Sequence, residues 1–216
     1  PIGVRSGDGS SMVCYNEQLY LADYNGNRIL VFNDLPTHTA DYPDYAIGSP
    51  YSLDTSTGNV TYSNSLDDNY FVTNPQIAVE GDIFLLASAL DGRLLGFKEV
   101  PADITTPADI EVTQDMWGIS GVALNGGQLF IAYGHGGASS MTSSFTVWDD
   151  VDPDSSSAQS LWNGGLGTSI SGSLGSATFH EITSVAADEQ YFYLSDKNGS
   201  DYTIYVWERT AIDFYA

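Results

Sequence analysis

The 216-residue sequence predicts an all-β fold assembled from repeated units. Two observations support this prediction. A short apolar segment bounded by Gly, Asn or Asp recurs four times, and each copy is followed by a second recurring segment with an aromatic residue at a constant position. No stretch shows a sustained helical period of apolar residues. Because stacked repeats bury a shared core and present a surface, the pattern favours a repeat architecture.

Each repeat contains three clear strand segments. The first strands are residues 12–15, 77–79, 122–124 and 185–187. The second strands are residues 19–23, 83–88, 129–133 and 192–196. The third strands lie within residues 27–36, 92–101, 145–151 and 203–209. Short apolar runs separated by polar turns are typical of antiparallel strands joined by tight hairpins.

A weaker fourth strand follows in each repeat, at residues 41–48, 108–112, 158–162 and 211–215. Prolines and carboxylates in these segments suit an outer edge strand. Two insertions, residues 49–73 and 164–179, are rich in Ser, Thr, Asn, Gly and Tyr. Insertions of this kind lie in loops on one face of a repeat protein, often the binding face.

Repeated four-stranded antiparallel units with polar outer edges predict the blades of a β-propeller. We assign residues 1–216 to a single propeller domain. Its four visible blades are expected at approximately residues 10–48, 75–112, 119–163 and 182–216. In this assignment Leu19, Ile83, Leu129 and Phe192 share one position, and Cys14 aligns with Ala78, Ala123 and Ala186.

The first repeat resembles an NHL repeat. Residues 19–50 carry Leu-Tyr-Leu-Ala-Asp, Asn-Arg-Ile-Leu-Val-Phe-Asn, a Leu-Pro turn, an Ala-Asp pair and Ile-Gly-Ser-Pro, whereas the other repeats are degenerate. The resemblance implies a propeller of the bacterial or archaeal secreted type that closes with about six blades. It also implies that Asp23 pairs with Arg28. The four blades are then expected to belong to a longer chain; a self-closed ring of four is the alternative.

The charge balance restricts the partners. The sequence has 28 acidic residues against 6 Lys and Arg, a formal net charge of −22. Because phosphate neutralisation requires Lys and Arg, we expect no nucleic-acid partner, and an anionic membrane surface is disfavoured. No apolar run approaches the roughly 20 residues of a membrane span. The acidity suits an extracellular or cell-surface protein exposed to salt or divalent cations, and it is also explained as a solubility device.

Polar residues precede the first strands, where propeller strands enter the central channel and loops of all blades converge. The candidate ligand-binding residues are Asn74, Gln76, Asp115, Trp117, His180 and Glu181. Imidazole and carboxylate groups can hold a divalent metal such as calcium or zinc, or act as acid and base. The alternative is that these groups cap strands and bind channel water. We expect no cofactor.

Other positions are predicted to be structural. Cys14 is expected to be a buried packing residue. The aromatic residues at the constant position, Phe32, Phe97, Trp148 and Trp207, are expected to pack between blades. The first insertion also contains aromatic residues among Ser, Thr and Asn, which either recognise a glycan or protein or anchor the loop to its own blade. They are Tyr51, Tyr62, Tyr70 and Phe71.

The sequence therefore predicts a non-catalytic recognition or structural module that binds a protein or glycan through its loop face. It contains no Gly-x-Ser-x-Gly elbow, phosphate loop or Cys-x-x-Cys motif. The alternative is a metal-assisted enzyme, such as a lyase or lactone hydrolase, with His180, Glu181 and Asp115 at the central channel.

Overall fold

The computed structural model confirms the all-β prediction. It describes residues 11–23, 28–38, 41–48, 51–54, 59–62, 75–88, 93–101, 108–112, 118–134, 143–148, 168–171 and 173–211. Among these residues the regular structure consists of strands and one short 3-10 turn at Arg209–Ala211. The described part of the chain contains no helix of the length and apolarity needed to cross a membrane.

The first blade is an antiparallel sheet of four strands in chain order. These are β1 (Met12–Tyr15), β2 (Gln18–Asp23), β3 (Arg28–Phe32) and β4 (Tyr45–Gly48). Asn16 and Glu17 join β1 to β2 with positive φ angles of 49° and 65°, the conformation that a tight two-residue hairpin requires. A separate hairpin of β5 (Tyr51–Asp54) and β6 (Asn59–Tyr62) occupies part of the first predicted insertion.

Three further blades repeat this arrangement. Blade 2 consists of β7 (Pro75–Glu80), β8 (Ile83–Ser88), β9 (Arg93–Phe97) and β10 (Ile110–Val112). Blade 3 consists of β11 (Ile119–Asn125), β12 (Gln128–Tyr133), β13 (Ser144–Trp148) and β14 (Thr168–Ser171). A small hairpin, β15 (Ser173–Leu174) and β16 (Ala177–Thr178), precedes blade 4. In blade 4 the described strands are β17 (Ile182–Ala187), β18 (Tyr191–Asn198) and β19 (Asp201–Glu208).

The structure corrects the predicted fourth strand of blade 3. The sequence placed this strand at residues 158–162, which lie outside the described residues. Strand β13 already has β12 on one edge and β14 on the other. The fourth strand that the structure describes in blade 3, β14, therefore comes from within the predicted second insertion. In blade 4, Ala211 belongs to the 3-10 turn and residues 212–216 lie outside the described residues.

The blades align through one cross-strand pair. In each blade one apolar residue of the second strand lies opposite an aromatic residue of the third strand. The pairs are Leu19–Phe32, Phe84–Phe97, Leu129–Trp148 and Phe192–Trp207. The prediction that Ile83 occupies this position is wrong by one residue, because Ile83 pairs with Glu80 at the start of its hairpin. The prediction that these aromatic residues pack between blades is confirmed for Phe97, Trp148 and Trp207, which belong to or pack against clusters shared by two blades. Phe32 is buried in a cluster whose described members all belong to blade 1.

The core lies between blades. The inner strands β1, β7, β11 and β17 contact one another in that order. One apolar cluster contains Tyr20 of blade 1 and Phe84 of blade 2; equivalent clusters join blade 2 to blade 3 and blade 3 to blade 4.

We call the face of a blade that turns towards the next blade its trailing face, and the opposite face its leading face. Cross-strand partners share a face, so Phe84 and its aromatic partner Phe97 both lie on a leading face.

Cys14 is exposed, contrary to the prediction that it is buried. Because Cys14 lies opposite Leu19, its counterparts are Val79, Leu124 and Ala187, one residue further along than the sequence alignment placed them. These three residues lie on leading faces and pack against the cluster shared with the preceding blade. Among the described residues no blade precedes β1, so Cys14 lacks the neighbour against which Leu124 is buried and Val79 and Ala187 are half-buried.

Two charged side chains, from blades 2 and 4, hydrogen-bond to the backbone of the β11–β12 turn of blade 3. The Glu80 carboxylate of blade 2 accepts hydrogen bonds from the backbone amides of Gly126 and Gly127, at 2.5 and 3.2 Å. From the other side, Arg209 donates from Nη2 to the Asn125 carbonyl oxygen at 3.1 Å and from Nη1 to the Asp188 carbonyl oxygen at 2.7 Å. These bonds tie three successive blades together at one end.

Gly121 marks a close approach of blades 3 and 4. A Cβ at this position would lie 2.8 Å from the Val185 backbone nitrogen and 3.1 Å from Ser184 Cα. Because backbone atoms of β17 cannot move independently, Gly121→Ala is expected to lower the free energy of unfolding by about 1–3 kcal/mol. Urea denaturation measures this. Ser200→Thr, which also adds one methyl group but in an exposed turn, is the control; equal stability of the two variants would contradict the prediction.

Asp188 makes the stability of blade 4 sensitive to acid. Hydrogen bonds from the Tyr193 hydroxyl and from the amides of Tyr191 and Gln190 hold the pKa of Asp188 below its ordinary value of 3.8. A depressed pKa in the folded state contributes stability that is present above the ordinary pKa and is lost as the pH falls through the folded-state pKa. Asp188→Asn is therefore expected to flatten the fall of melting temperature between about pH 5 and pH 2.

Melting curves of the wild type, Asp188→Asn and Asp201→Asn, an exposed position at the start of β19, measure this effect. The wild type and Asp201→Asn should lose stability in parallel. A wild type and an Asp188→Asn variant with parallel curves would show that these hydrogen bonds do not favour the ionised form.

Candidate functional site

The candidate site is built around His180, which precedes the inner strand β17. His180 is about half exposed, and its Nδ1 lies 3.0 Å from Oδ2 of Asp196 at the far end of β18. The other oxygen of the same carboxylate, Oδ1, accepts hydrogen bonds from the backbone amides of His180 and Glu181 at 2.8 and 2.9 Å. Asp196 is 2% exposed. One buried carboxylate therefore fixes the backbone entering β17 and the orientation of the imidazole.

The tautomer of neutral His180 follows from this contact. An ionised carboxylate only accepts hydrogen bonds, so Nδ1 carries the hydrogen and Nε2 presents its lone pair. Nε2 lies 3.2 Å from Nδ2 of Asn198, which can donate to it. Because Nε2 has one lone pair, a ligand that donates to it takes the place of the Asn198 amide, which is exposed and can then bond to the same ligand.

An ion pair extends the polar surface. Lys197 Nζ lies 3.2 Å from Oε2 of Glu181, and both side chains are partly exposed. The Lys197 amide also donates to the Glu181 carbonyl oxygen at 2.9 Å, which holds the two backbones together. Glu181 and Lys197 therefore present one charge of each sign beside the imidazole.

A residue of blade 3 also binds the backbone of the site. The Ser143 hydroxyl, which is buried, donates to the His180 carbonyl oxygen at 2.7 Å. A bulge in the β17–β18 ladder between Ile182 and Ser184 follows directly, and bulges commonly re-aim side chains at strand ends. The site is thus carried on strand ends rather than on a free loop.

The same aspartate position serves a different purpose in blade 1. Asp23 and Asp196 occupy the same position in the second strand of their blades, four residues after the aligned pair position. Asp23 pairs with Arg28, whose Nη2 lies 2.8 Å from Oδ2, so the pairing that the NHL resemblance implied is present there. In blade 4 the residue opposite Asp196 is Thr203, and the carboxylate binds His180 instead.

The structure describes only part of the predicted site. His180 and Glu181 lie together as neighbours around Asp196. Gln76 is 3% exposed on β7 of blade 2, with blade 3 between it and β17. Three other predicted site residues lie outside the described residues, and their place in the site remains a prediction. They are Asn74, Asp115 and Trp117.

Sequence reasoning missed Asp196, Lys197 and Asn198. The signal was present for Asp196, because it aligns with Asp23 and has no basic residue opposite it. Among the described residues no group of three or more His, Cys, Asp and Glu side chains is placed to hold a metal ion.

Comparisons with known proteins place the fold but not the family. No family model matches the sequence, including one for NHL repeats, and no curated protein matches it. Among solved structures it is similar to the glutaminyl cyclase of Myxococcus xanthus, with a TM-score of 0.53 and 11% identity, over 91% of this chain and 65% of that one.

Two β-propeller domains are also similar to this chain. The WD40 propeller domain of Doa1 has a TM-score of 0.47 and 10% identity, over 94% of this chain and 53% of that one. The propeller domain of Cps50 (Swd1) from Myceliophteria thermophila has a TM-score of 0.44 and 11% identity, over 93% of this chain and 54% of that one. The chain thus spans less than two thirds of the length of each of these proteins. Together with the repeated blades, the likeness to the cyclase shows a β-propeller fold.

The role of Asp196 can be tested by Asp196→Asn. The amide keeps the shape of the carboxylate, which faces three donors: the backbone amides of His180 and Glu181 and the His180 Nδ1–H. Its NH2 group lies beside at least one of them, so the variant is expected to lose about 1–3 kcal/mol of stability. Nitrogen-15 NMR of the imidazole should show His180 leaving the Nδ1–H tautomer. Ser195→Ala, on the adjacent residue, is the control; an unchanged His180 spectrum in Asp196→Asn would contradict the assigned role.

Proposed function

We propose that this β-propeller is a non-catalytic recognition module of an extracellular or cell-surface protein. It binds a protein or glycan partner at the end where the inner strands begin. The observation that carries the proposal is the half-exposed imidazole of His180, held in one orientation by the buried carboxylate of Asp196. The NHL resemblance of the first repeat and the strongly acidic composition support the assignment to a secreted protein.

Rigidity is the property that suits this site to recognition. A binding group that is already ordered loses little conformational entropy when a ligand arrives. His180, Asn198 and the Glu181–Lys197 pair offer an acceptor, a donor and both signs of charge on adjacent strand ends. Hydroxyl-rich sugars and polar peptide segments are the ligands that such a mixture of donors and acceptors can satisfy.

Binding to arrayed oligosaccharides and to a displayed peptide library tests the proposal. The wild type is expected to select ligands from one of the two collections, and His180→Ala should weaken binding roughly tenfold or more because a ligand group loses its hydrogen-bond partner. His38→Ala, a change of the same kind in an exposed loop of blade 1, is the control. Selected ligands that bind His180→Ala as well as the wild type would remove this site from the proposal.

A metal-assisted enzyme is the second candidate function. The observation that favours it is the carboxylate on His180 Nδ1, since histidines that ligate metals usually donate their other ring nitrogen to such a group. His180 would then ligate zinc through Nε2 in place of the Asn198 amide, and Glu181 and Asp115 would supply carboxylate oxygens to zinc or calcium. A cation that binds the folded state must raise the melting temperature. An increase in wild type that His180→Ala abolishes would favour this candidate, and equal melting temperatures in zinc, calcium and EDTA would argue against it.

A further inference from the structure

The β18–β19 hairpin of blade 4 is longer than the equivalent hairpins of the other blades. In blades 1 to 3 the pairing of the second and third strands ends four residues after the aligned pair. In blade 4 it continues for two more pairs, Lys197–Tyr202 and Asn198–Asp201. We call residues 196–203 the hairpin extension. It lengthens blade 4 by roughly 7 Å at the end where the candidate site lies.

The leading face of the hairpin extension carries Asp196 and Asn198. Successive residues of a strand point to opposite faces, and cross-strand partners share a face. Asp196 and Asn198 therefore lie on the same face as Leu194, which is buried in the cluster shared with blade 3. Their cross-strand partners, Thr203 and Asp201, lie on this face as well. The four side chains thus lie on the side of blade 3, which is also the side of the candidate site.

Hydrogen-bond acceptors predominate on this face. Neutral His180 presents the Nε2 lone pair, and the Asp201 carboxylate only accepts. Asn198 contributes a carbonyl acceptor and an amide donor, and the Thr203 hydroxyl both donates and accepts. Asn198, Asp201 and Thr203 are exposed, and His180 is about half exposed. A ligand bound here must therefore offer donors, together with an acceptor for the Asn198 amide.

An anionic ligand is disfavoured at this face. Lys197 is the only basic residue of the hairpin extension, and its ammonium group lies 3.2 Å from the Glu181 carboxylate. Asp201 adds a negative charge, and the whole chain has a net charge of −22. Because like charges repel, acidic sugars, phosphate groups and acidic peptides would meet an unfavourable field.

A cationic ligand satisfies the site incompletely. Ammonium and guanidinium groups donate hydrogen bonds but accept none. Such a group could donate to Nε2 of His180, but Nδ2 of Asn198, displaced from its contact at 3.2 Å, would then face a second donor. A hydroxyl group both donates and accepts. Hydroxyl groups can therefore occupy the Nε2 lone pair and receive the Asn198 amide at the same time.

This face also differs from a peptide-binding surface. Extended peptides add to an open strand edge through main-chain hydrogen bonds, whereas this face presents side chains. Protein interfaces are anchored by aromatic side chains and Arg, and the exposed side chains of this face are His, Asn, Asp and Thr. Neighbouring hydroxyl oxygens of a sugar ring are separated by about the length of a hydrogen bond. The 3.2 Å between His180 Nε2 and Asn198 Nδ2 matches such a vicinal pair.

We propose that the hairpin extension of blade 4 binds a neutral glycan through a pair of vicinal hydroxyl groups. One hydroxyl donates to Nε2 of His180, and its neighbour accepts from Nδ2 of Asn198. The Asp201 carboxylate accepts from a further hydroxyl of the same sugar chain. This ligand class rests on the recognition function proposed above for the same site. Asp196 holds the imidazole in the accepting tautomer, so the site is ordered before the glycan arrives.

Biolayer interferometry on immobilised polysaccharides tests this assignment. The probes are neutral polymers of glucose, mannose, galactose and xylose, with polygalacturonate as the acidic counterpart of the galactose polymer. The wild type is expected to bind at least one neutral polymer and not polygalacturonate, with an affinity that depends little on salt because no ion pair forms. Periodate cleaves the carbon–carbon bond of a vicinal diol, so oxidation and borohydride reduction of the recognised polymer should abolish binding.

Two substitutions of Asn198 test the assigned hydrogen bonds. Asn198→Ala removes the donor, and Asn198→Asp replaces it by a group that only accepts, so each should weaken binding roughly tenfold or more. A cationic ligand would instead bind Asn198→Asp more tightly. The control is Tyr202→Phe, which removes an exposed hydroxyl from the opposite face of the same extension and should bind as the wild type does. Because both positions are exposed, the melting temperatures should be equal.

Three results would overturn the proposal: binding to polygalacturonate alone, an affinity unchanged by periodate treatment, or full binding by both Asn198 variants. If no neutral polymer binds while a displayed peptide binds in a manner that requires His180, the glycan assignment is wrong and the recognition function stands. If neither polysaccharides nor displayed peptides bind, both proposals fail.

Discussion

Replacement of Asp23 by alanine is expected to lower the free energy of unfolding by about 3–5 kcal/mol. Asp23 Oδ2 accepts from Arg28 Nε at 2.9 Å and lies 2.8 Å from Nη2, and the two side chains are 0% and 4% exposed. Removing the carboxylate takes a counter-charge at 2.8 Å away from a buried guanidinium. The loss arises from the poorer compensation of that buried charge rather than from the strength of the ion pair itself.

A double variant separates these two causes. In Asp23→Leu/Arg28→Met both charges are replaced by apolar side chains of similar size, and the stability is expected to return to within about 1 kcal/mol of the wild type or above it. Urea denaturation of Asp23→Leu, Arg28→Met and the double variant measures the difference in the free energy of unfolding. A double variant as unstable as Asp23→Ala would contradict this account, because it would show that the pair contributes specific geometry that packing cannot replace.

The second large effect is expected for Phe145→Ala. Phe145 is fully buried between blades 3 and 4, with its ring centroid 5.1 Å from that of Phe192 and 5.9 Å from that of Phe179. Truncation removes most of an aromatic side chain from a packed cluster and leaves a cavity that strand backbones cannot fill. The expected loss is about 3–5 kcal/mol.

Leu35→Ala is the control for this variant. Leu35 is 56% exposed in the loop after β3, so its truncation should change the stability by no more than about 0.5 kcal/mol. Near-ultraviolet circular dichroism follows the packing of the aromatic cluster together with unfolding. A Phe145→Ala variant within 1 kcal/mol of wild type would show that the blade 3–blade 4 interface relaxes around the cavity, against the rigid packing described here.

The inner and middle strands of every blade could be predicted from sequence because each is a short apolar run that recurs at an aligned position. The aromatic residues Phe32, Phe97, Trp148 and Trp207 define that alignment, and the structure confirms packing between blades for all of them except Phe32. The outer strand of blade 3 could not be predicted. Strand β14, Thr-Ser-Ile-Ser, is polar and short, and its identity depends on pairing with β13 rather than on any pattern within itself.

The site was predictable in part. His180 and Glu181 were identified because polar residues before inner strands converge on a propeller channel. Asp196 belongs to a strand sixteen positions further along the chain, and only the register of β18 brings its carboxylate to 3.0 Å from the imidazole. The register that places Asp196 beside His180 includes the bulge in β17. No pattern of residues in the sequence predicts that bulge.

The sequence by itself determined the repeated antiparallel blade, the aromatic core position and the acidic character that disfavours nucleic-acid partners. These properties are local or compositional, and they follow from strand periodicity and charge counts. Only the tertiary structure decided which residues are exposed. Met12 and Ile204 are exposed at positions whose counterparts in the other blades are buried, and Cys14 is exposed where its counterparts are buried or half-buried. They differ because burial between blades requires a neighbouring sheet. A residue's own sequence context cannot show whether that neighbour is present.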